Sequence, residues 1–211
     1  MKKIIRCITL MLAISFSLIA APNPKGMIIR NTDTLYATFI IPVTGPNFVM
    51  LQEGVRYLDS LNNECRINPG DAKEFRFEHK GKLIRMVSQF NNNSFDPDSG
   101  TTKFRHIVID GPIKLFNYYT AGGYGGTHNG GPGYQATNST YAGGTGNQSK
   151  KYKLQKGPGE LISYDNMHFK NDMPIFLEKC PDLVKMIQDK VYRRADIEQI
   201  VNYYNSNCGN N

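Results

Sequence analysis

Apolar and polar positions alternate with a period of two in short runs between residues 26 and 156, the signature of half-buried strands. Leu35, Ala37, Phe39 and Ile41 share one face of such a run, with Thr34, Tyr36 and Thr38 on the other. Phe75 and Phe77 alternate with Glu74, Arg76 and Glu78. The next run, residues 82–88, is more continuously apolar and fits a strand covered on both sides. His79-Lys80-Gly81 between these two runs predicts a tight turn. Phe104, His106 and Val108 alternate with Arg105, Ile107 and Ile109, and Asp110-Gly111-Pro112 then turns the chain into residues 113–119. A shorter polar loop, residues 91–101, separates two further strand candidates.

Residues 120–149 break this pattern. They hold ten of the chain's 20 glycines together with Asn, Thr and Ser, too little apolar surface to offset the cost of ordering them. Period two resumes at Lys151-Tyr152-Lys153-Leu154-Gln155. Residues 112–119 and 150–156 therefore read as one hairpin whose connection is lengthened by a flexible insertion, since loop-closure cost grows only logarithmically with length.

The last forty or so residues change to a helical period. Met173, Phe176, Leu177 and Cys180 form one stripe, with Asn171-Asp172 as cap candidates and Pro174 in the first turn. Pro181 opens a second segment carrying Leu183, Val184, Ile187 and Val191. A third carries Ile197, Ile200, Val201, Tyr204 and Cys208. Such amphipathic helices need a surface to cover, here one another and the β-body. The predicted class is α+β: a β-rich body of about eight to ten strands, as an antiparallel sandwich or open barrel, followed by two or three short helices. The β-rich domain is expected over residues 22–163 and the packed helical unit over 164–211.

The amino terminus changes where this molecule is placed. Lys2, Lys3 and Arg6 precede an apolar run from Ile8 to Ile19, and Ala20 and Ala21 stand just before Pro22. That is the layout of a secretory signal peptide over residues 1–21, and the apolar run is shorter than a membrane span requires. Export to the periplasm, cell surface or medium follows, with no transmembrane segment in the mature chain. The formal charge of +7 falls to +4 once those three cations are removed, too mild to argue for nucleic acid. In an oxidising compartment cysteines pair. Cys180 begins the second helical segment and Cys208 follows the third, so a bridge between them closes the helical unit, while Cys65 stays unpaired. Two buried thiols on their apolar stripes are the other reading.

Candidate chemistry is sparse. Gly131-Pro132-Gly133-Tyr134-Gln135-Ala136 fits a permissive dinucleotide pattern, but no helix-forming sequence follows it to present amides to a phosphate. His79, His106, His128 and His168 lack metal-ligand spacing, and the flanks of Cys65 match no cysteine-hydrolase pattern. No cofactor, metal or catalytic residue is assigned. Tyr124, Tyr134 and Tyr141 in the glycine loop, with Tyr118, Tyr119 and Tyr152 at its flanks, have the composition of an adaptable binding loop. A solvated low-complexity loop is the plainer reading. Arg76, Arg85, Arg105, Lys114, Lys151 and Lys153 occupy outward strand positions that could align into a basic stripe able to attract polyanions.

Several phrases carry a resemblance: Lys25-Gly26-Met27-Ile28-Ile29 with Asp33-Thr34-Leu35, Tyr57-Leu58-Asp59, Pro69-Gly70-Asp71, Tyr152-x-Leu154-Gln155-Lys156-Gly157, and the tail from Phe169-Lys170 through Cys180-Pro181 to Cys208. Together they resemble exported proteins of Bacteroidetes-type bacteria to which no activity is attached. The resemblance implies an envelope or secreted β-plus-helix protein and supplies no catalytic residues. The functional expectation is a non-enzymatic exported binding or structural protein with an envelope protein or glycan as partner. The alternative is a hydrolase acting on envelope polymers with a site assembled from residues distant in sequence.

Overall fold

The computed structural model describes residues 23–94, 96, 98–121 and 148–209. The expected leader and Tyr124, Tyr134 and Tyr141 lie outside the described residues.

Ten strands form one antiparallel sheet that does not close on itself. In chain order they are β1 (Lys25–Ile29), β2 (Thr34–Phe39), β3 (Val55–Leu58), β4 (Glu64–Ile67), β5 (Glu74–His79), β6 (Lys82–Phe90), β7 (Thr102–Ile109), β8 (Ile113–Ala121), β9 (Gln148–Lys156) and β10 (Ile162–Ser163). Across the sheet they run β10-β9-β8-β7-β6-β5-β1-β2-β3-β4. Helix α1 (Phe48–Glu53) is inserted between β2 and β3, and α2 (Phe169–Phe176), α3 (Pro181–Gln188) and α4 (Ile197–Asn207) close the chain. The expected α+β class, with a β-rich body ahead of short helices, is what the molecule adopts. No described helix is long and apolar enough to cross a membrane.

Local chemistry accounts for the turns. His79 pairs with Lys82, leaving Lys80 (φ 51°) and Gly81 (φ 71°) as a two-residue connection, the positive-φ pair that matches strand twist. The long hairpin is also present: β8 and β9 pair from Ile113↔Lys156 to Ala121↔Gln148, so both ends of the glycine segment are held in adjacent strands.

Register assigns the faces, because directly opposed residues point the same way. Ile28, Phe75, Met86, His106, Asn117 and Tyr152 form one row across six strands. That face carries two clusters. Phe39, Phe75, Phe77, Ile84, Met86 and Phe104 fill one. Ile113, Leu115 and Leu154 meet Met173, Leu177, Leu183, Ile200 and Tyr204 in the other, beneath α2, α3 and α4. Each such fully buried aliphatic or aromatic side chain contributes about 1.5–3 kcal/mol. The alternation in β7 fails at one point. A bulge between Ile107 and Ile109 places Ile107 opposite Phe116 but Ile109 opposite Leu115, on the helix side.

Strand β8 is longer than its partner allows, since β7 pairs with it only at Leu115, Phe116 and Asn117. Two amide side chains complete the ladder. At one end Gln52 of α1 accepts from Tyr119 N and donates to Tyr119 O, both 2.8 Å. At the other, Asn205 of α4 does the same for Ile113, again at 2.8 Å each. Gly111 permits this close approach, because a Cβ there would lie 2.6 Å from Asn205 Nδ2.

The helical tail is tied down covalently and by its caps. Cys180 and Cys208, 28 residues apart, form a disulfide with Cα atoms 5.6 Å from each other. Cys65 is unpaired. Helix α2 starts earlier than the Asn171-Asp172 cap expected from sequence. His168 is the cap, its amide held by Asp172 Oδ2 at 2.6 Å, so Asp172 acts from inside the first turn and Pro174 falls within the helix. Lys156 Nζ donates to Phe176 O at 2.9 Å, satisfying a carbonyl at the far end of α2 from β9.

Candidate functional site

The tyrosines flanking the glycine segment are each engaged in structure. Tyr119 stacks on Phe48 (ring centres 4.5 Å apart), and its hydroxyl lies 3.1 Å from His106 Nδ1 and accepts from Asn117 Nδ2 at 3.2 Å. Phe48 also stacks on His106, at 5.1 Å. Burial, and secondarily the Lys150 charge, hold the His106 imidazole below its ordinary pKa. Tyr152 donates to Glu198 at 2.8 Å. Tyr118 lies under two cations, with Arg105 at 5.2 Å and Lys153 at 4.6 Å from its ring centre.

Those two cations belong to the basic stripe expected on the outward face. Register does put Arg76, Arg85, Arg105, Lys114, Lys151 and Lys153 on one face. Much of the charge is cancelled there. Asp96 and Asp98, between β6 and β7, reach back over β7 and β9: Asp98 accepts from Arg105 at 2.6 Å and from Lys153 at 3.0 Å, while Asp96 also pairs with Lys153. Arg105 and Lys153 are buried. Arg85 grips Glu74 with two 2.9 Å hydrogen bonds and reaches Asp110 at 3.2 Å; Lys114 stands 3.8 Å from the same Asp110. These residues secure the loop and the sheet instead of presenting a stripe to a polyanion.

A local group of cations without ion-pair partners among the described residues lies elsewhere, on the helical tail. A groove of about 600 Å³ runs between the head of α2 and the chain leaving α3. Buried Ile187 and half-buried Phe169 and Tyr192 line it together with exposed Lys170, Lys190 and Arg193, and Arg194 contributes a fourth cation. None of these four is ion-paired among the described residues, and no described carboxylate lines the groove. Two acids of the same segments, Asp172 and Asp196, accept from the His168 and Arg193 amides.

The walls are braced. Phe169 meets Tyr164 edge to face at 6.3 Å, and Tyr192 meets Tyr203 in the same manner at 6.5 Å. Arg194 donates to the carbonyls of Met167 (2.9 Å), Tyr164 (2.8 Å) and Asp165 (2.7 Å), with its guanidinium 5.1 Å above the Tyr164 ring. Its partners are neutral, so the guanidinium joins the chain before α2 to the chain before α4 while its charge persists. Lys190 enters through backbone geometry. It has φ 62° just past α3, where Lys190 N bonds Ile187 O (3.1 Å) and Val191 N bonds Met186 O (2.9 Å). This closing motif normally uses glycine, and an L-residue there costs roughly 1–2 kcal/mol.

The apolar stripes of the tail do not reveal this cluster. The signal lay in Lys190-Val191-Tyr192-Arg193-Arg194, three cations around one aromatic immediately after an amphipathic segment. No family model, curated protein or solved structure matches this chain.

Proposed function

We propose that this chain is an exported, non-enzymatic binding protein of the periplasm, cell surface or medium, and that it engages an acidic envelope component through the groove of its helical unit. One observation carries the reading: four cations without carboxylate partners flank two braced aromatic rings around a cavity of ligand size. The Cys180–Cys208 bridge suits an oxidising compartment. The resemblance to exported Bacteroidetes-type proteins points to the same place. The sheet serves as the scaffold, and its pairs and clamps hold the tail in one position.

Envelope retention tests this. Purified mature chain mixed with washed bacterial envelopes should sediment with them at low ionic strength and be released as salt shortens the screening length to about 3 Å near 1 M. The double variant Lys190→Glu/Arg193→Glu should stay in the supernatant. Retention indifferent to both salt and charge reversal would refute the proposal, and release of soluble envelope fragments by the protein would mark it as a hydrolase.

A further inference from the structure

We infer that the groove takes an acidic saccharide: a sugar ring seated on Phe169 and Tyr192, with its carboxylate or phosphate facing Lys170, Lys190 and Arg193. This inference rests on the binding role proposed above and adds the ligand's chemistry. A simple inorganic anion would leave most of the roughly 600 Å³ empty and would not use the rings. A long polyanion needs a track of cations, whereas on the outward sheet face Arg85, Arg105, Lys114 and Lys153 are paired off, leaving Arg76 and Lys151, and the four groove cations surround a single cavity. An acidic peptide would meet the same side-chain cations but offers the two rings no flat C–H face of the kind a sugar ring has. A ring with an apolar C–H face and an acidic substituent satisfies both halves of the lining. The head of α2 is already capped by Asp172, so the attraction comes from the side-chain cations.

Lys190 provides a test that separates a ligand contact from a structural role. In its left-handed conformation glycine is the better residue for the fold. Lys190→Gly should therefore raise the melting temperature while weakening the ligand.

The experiment is calorimetric titration of the disulfide-bonded mature chain with trigalacturonic acid, glucose 6-phosphate, neutral maltotriose and hexaglutamate. At least one of the two acidic sugars should bind about tenfold more tightly than maltotriose, and which of them does so identifies carboxylate or phosphate as the anion. Lys190→Gly should weaken that binding about fivefold despite its higher melting temperature. Tyr192→Ala should weaken it about tenfold, and Tyr192→Phe should restore it. Hexaglutamate binding as tightly as the sugars, and unaffected by Tyr192→Ala, would overturn the saccharide in favour of an acidic peptide. Binding by none of the four probes, while charge-reversible envelope retention persists, would overturn the saccharide alone. Loss of retention as well would remove the binding role.

Discussion

Asp98 accepts hydrogen bonds from Asn91 (2.7 Å), Arg105 (2.6 Å) and Lys153 (3.0 Å), all beneath the loop that it helps to fold. Burial alone would raise its pKa, but hydrogen bonding with Asp96 and the two cationic partners overcome this and hold it far below the usual carboxylate range. Because the folded value is depressed, the stability it contributes is full above the unfolded carboxyl pKa near 4 and is lost as the pH falls below that. Asp98→Asn leaves Arg105 and Lys153 short of a counter-charge and should cost about 3–5 kcal/mol in urea denaturation at pH 7, with the deficit shrinking toward pH 2. His106 works in the opposite chemical sense. Its folded pKa also lies below the unfolded value, so protonation favours the unfolded chain as the pH drops through roughly 6.5, and His106→Gln should flatten the fall in melting temperature between about pH 7 and 5. Period-two alternation was enough to place Arg105 on the outward face. It could not show that Asp96 and Asp98 return to that face, because Asp96-Pro97-Asp98 read by itself is only turn chemistry.

Strand β8 shows the same division among elements. Its pairing with β9 was legible from two alternating runs on either side of the glycine segment, since in-register hairpins follow from pattern and turn positions. The amide clamps at its ends were not legible, because Gln52 and Asn205 resemble solvated helix residues until tertiary contact places them. Asn205→Ala leaves two backbone groups of Ile113 without partners and should destabilise by about 2–4 kcal/mol, read by thermal unfolding. The disulfide was readable from export and helical stripes, and its contribution follows from the loop it closes. For a separation of 28 residues the chain-entropy model gives about 3–4 kcal/mol, so Cys180→Ala/Cys208→Ala or full reduction should lower the unfolding free energy by that amount. The groove was not legible, since it exists only once the Arg194 clamp and the left-handed Lys190 bring the chain leaving α3 against the head of α2.

At the scale of the whole molecule the sheet is a scaffold, and the proposed binding face lies on the helical tail. The sheet buries two apolar clusters on one face and neutralises much of the charge on the other, and the disulfide-bonded tail keeps its groove cations exposed. Replacing residues 122–147 with a two-residue Asn-Gly turn should leave the β8–β9 register intact and raise stability by about 2 kcal/mol through the shorter closure, without changing envelope retention. Amide-resolved NMR of the mature chain titrated with trigalacturonic acid and glucose 6-phosphate tests the division most directly. Shifts confined to residues 168–171 and 187–194 are predicted. Shifts centred on the outward sheet face or at the ends of β8 and β9, with the tail unmoved, would contradict it.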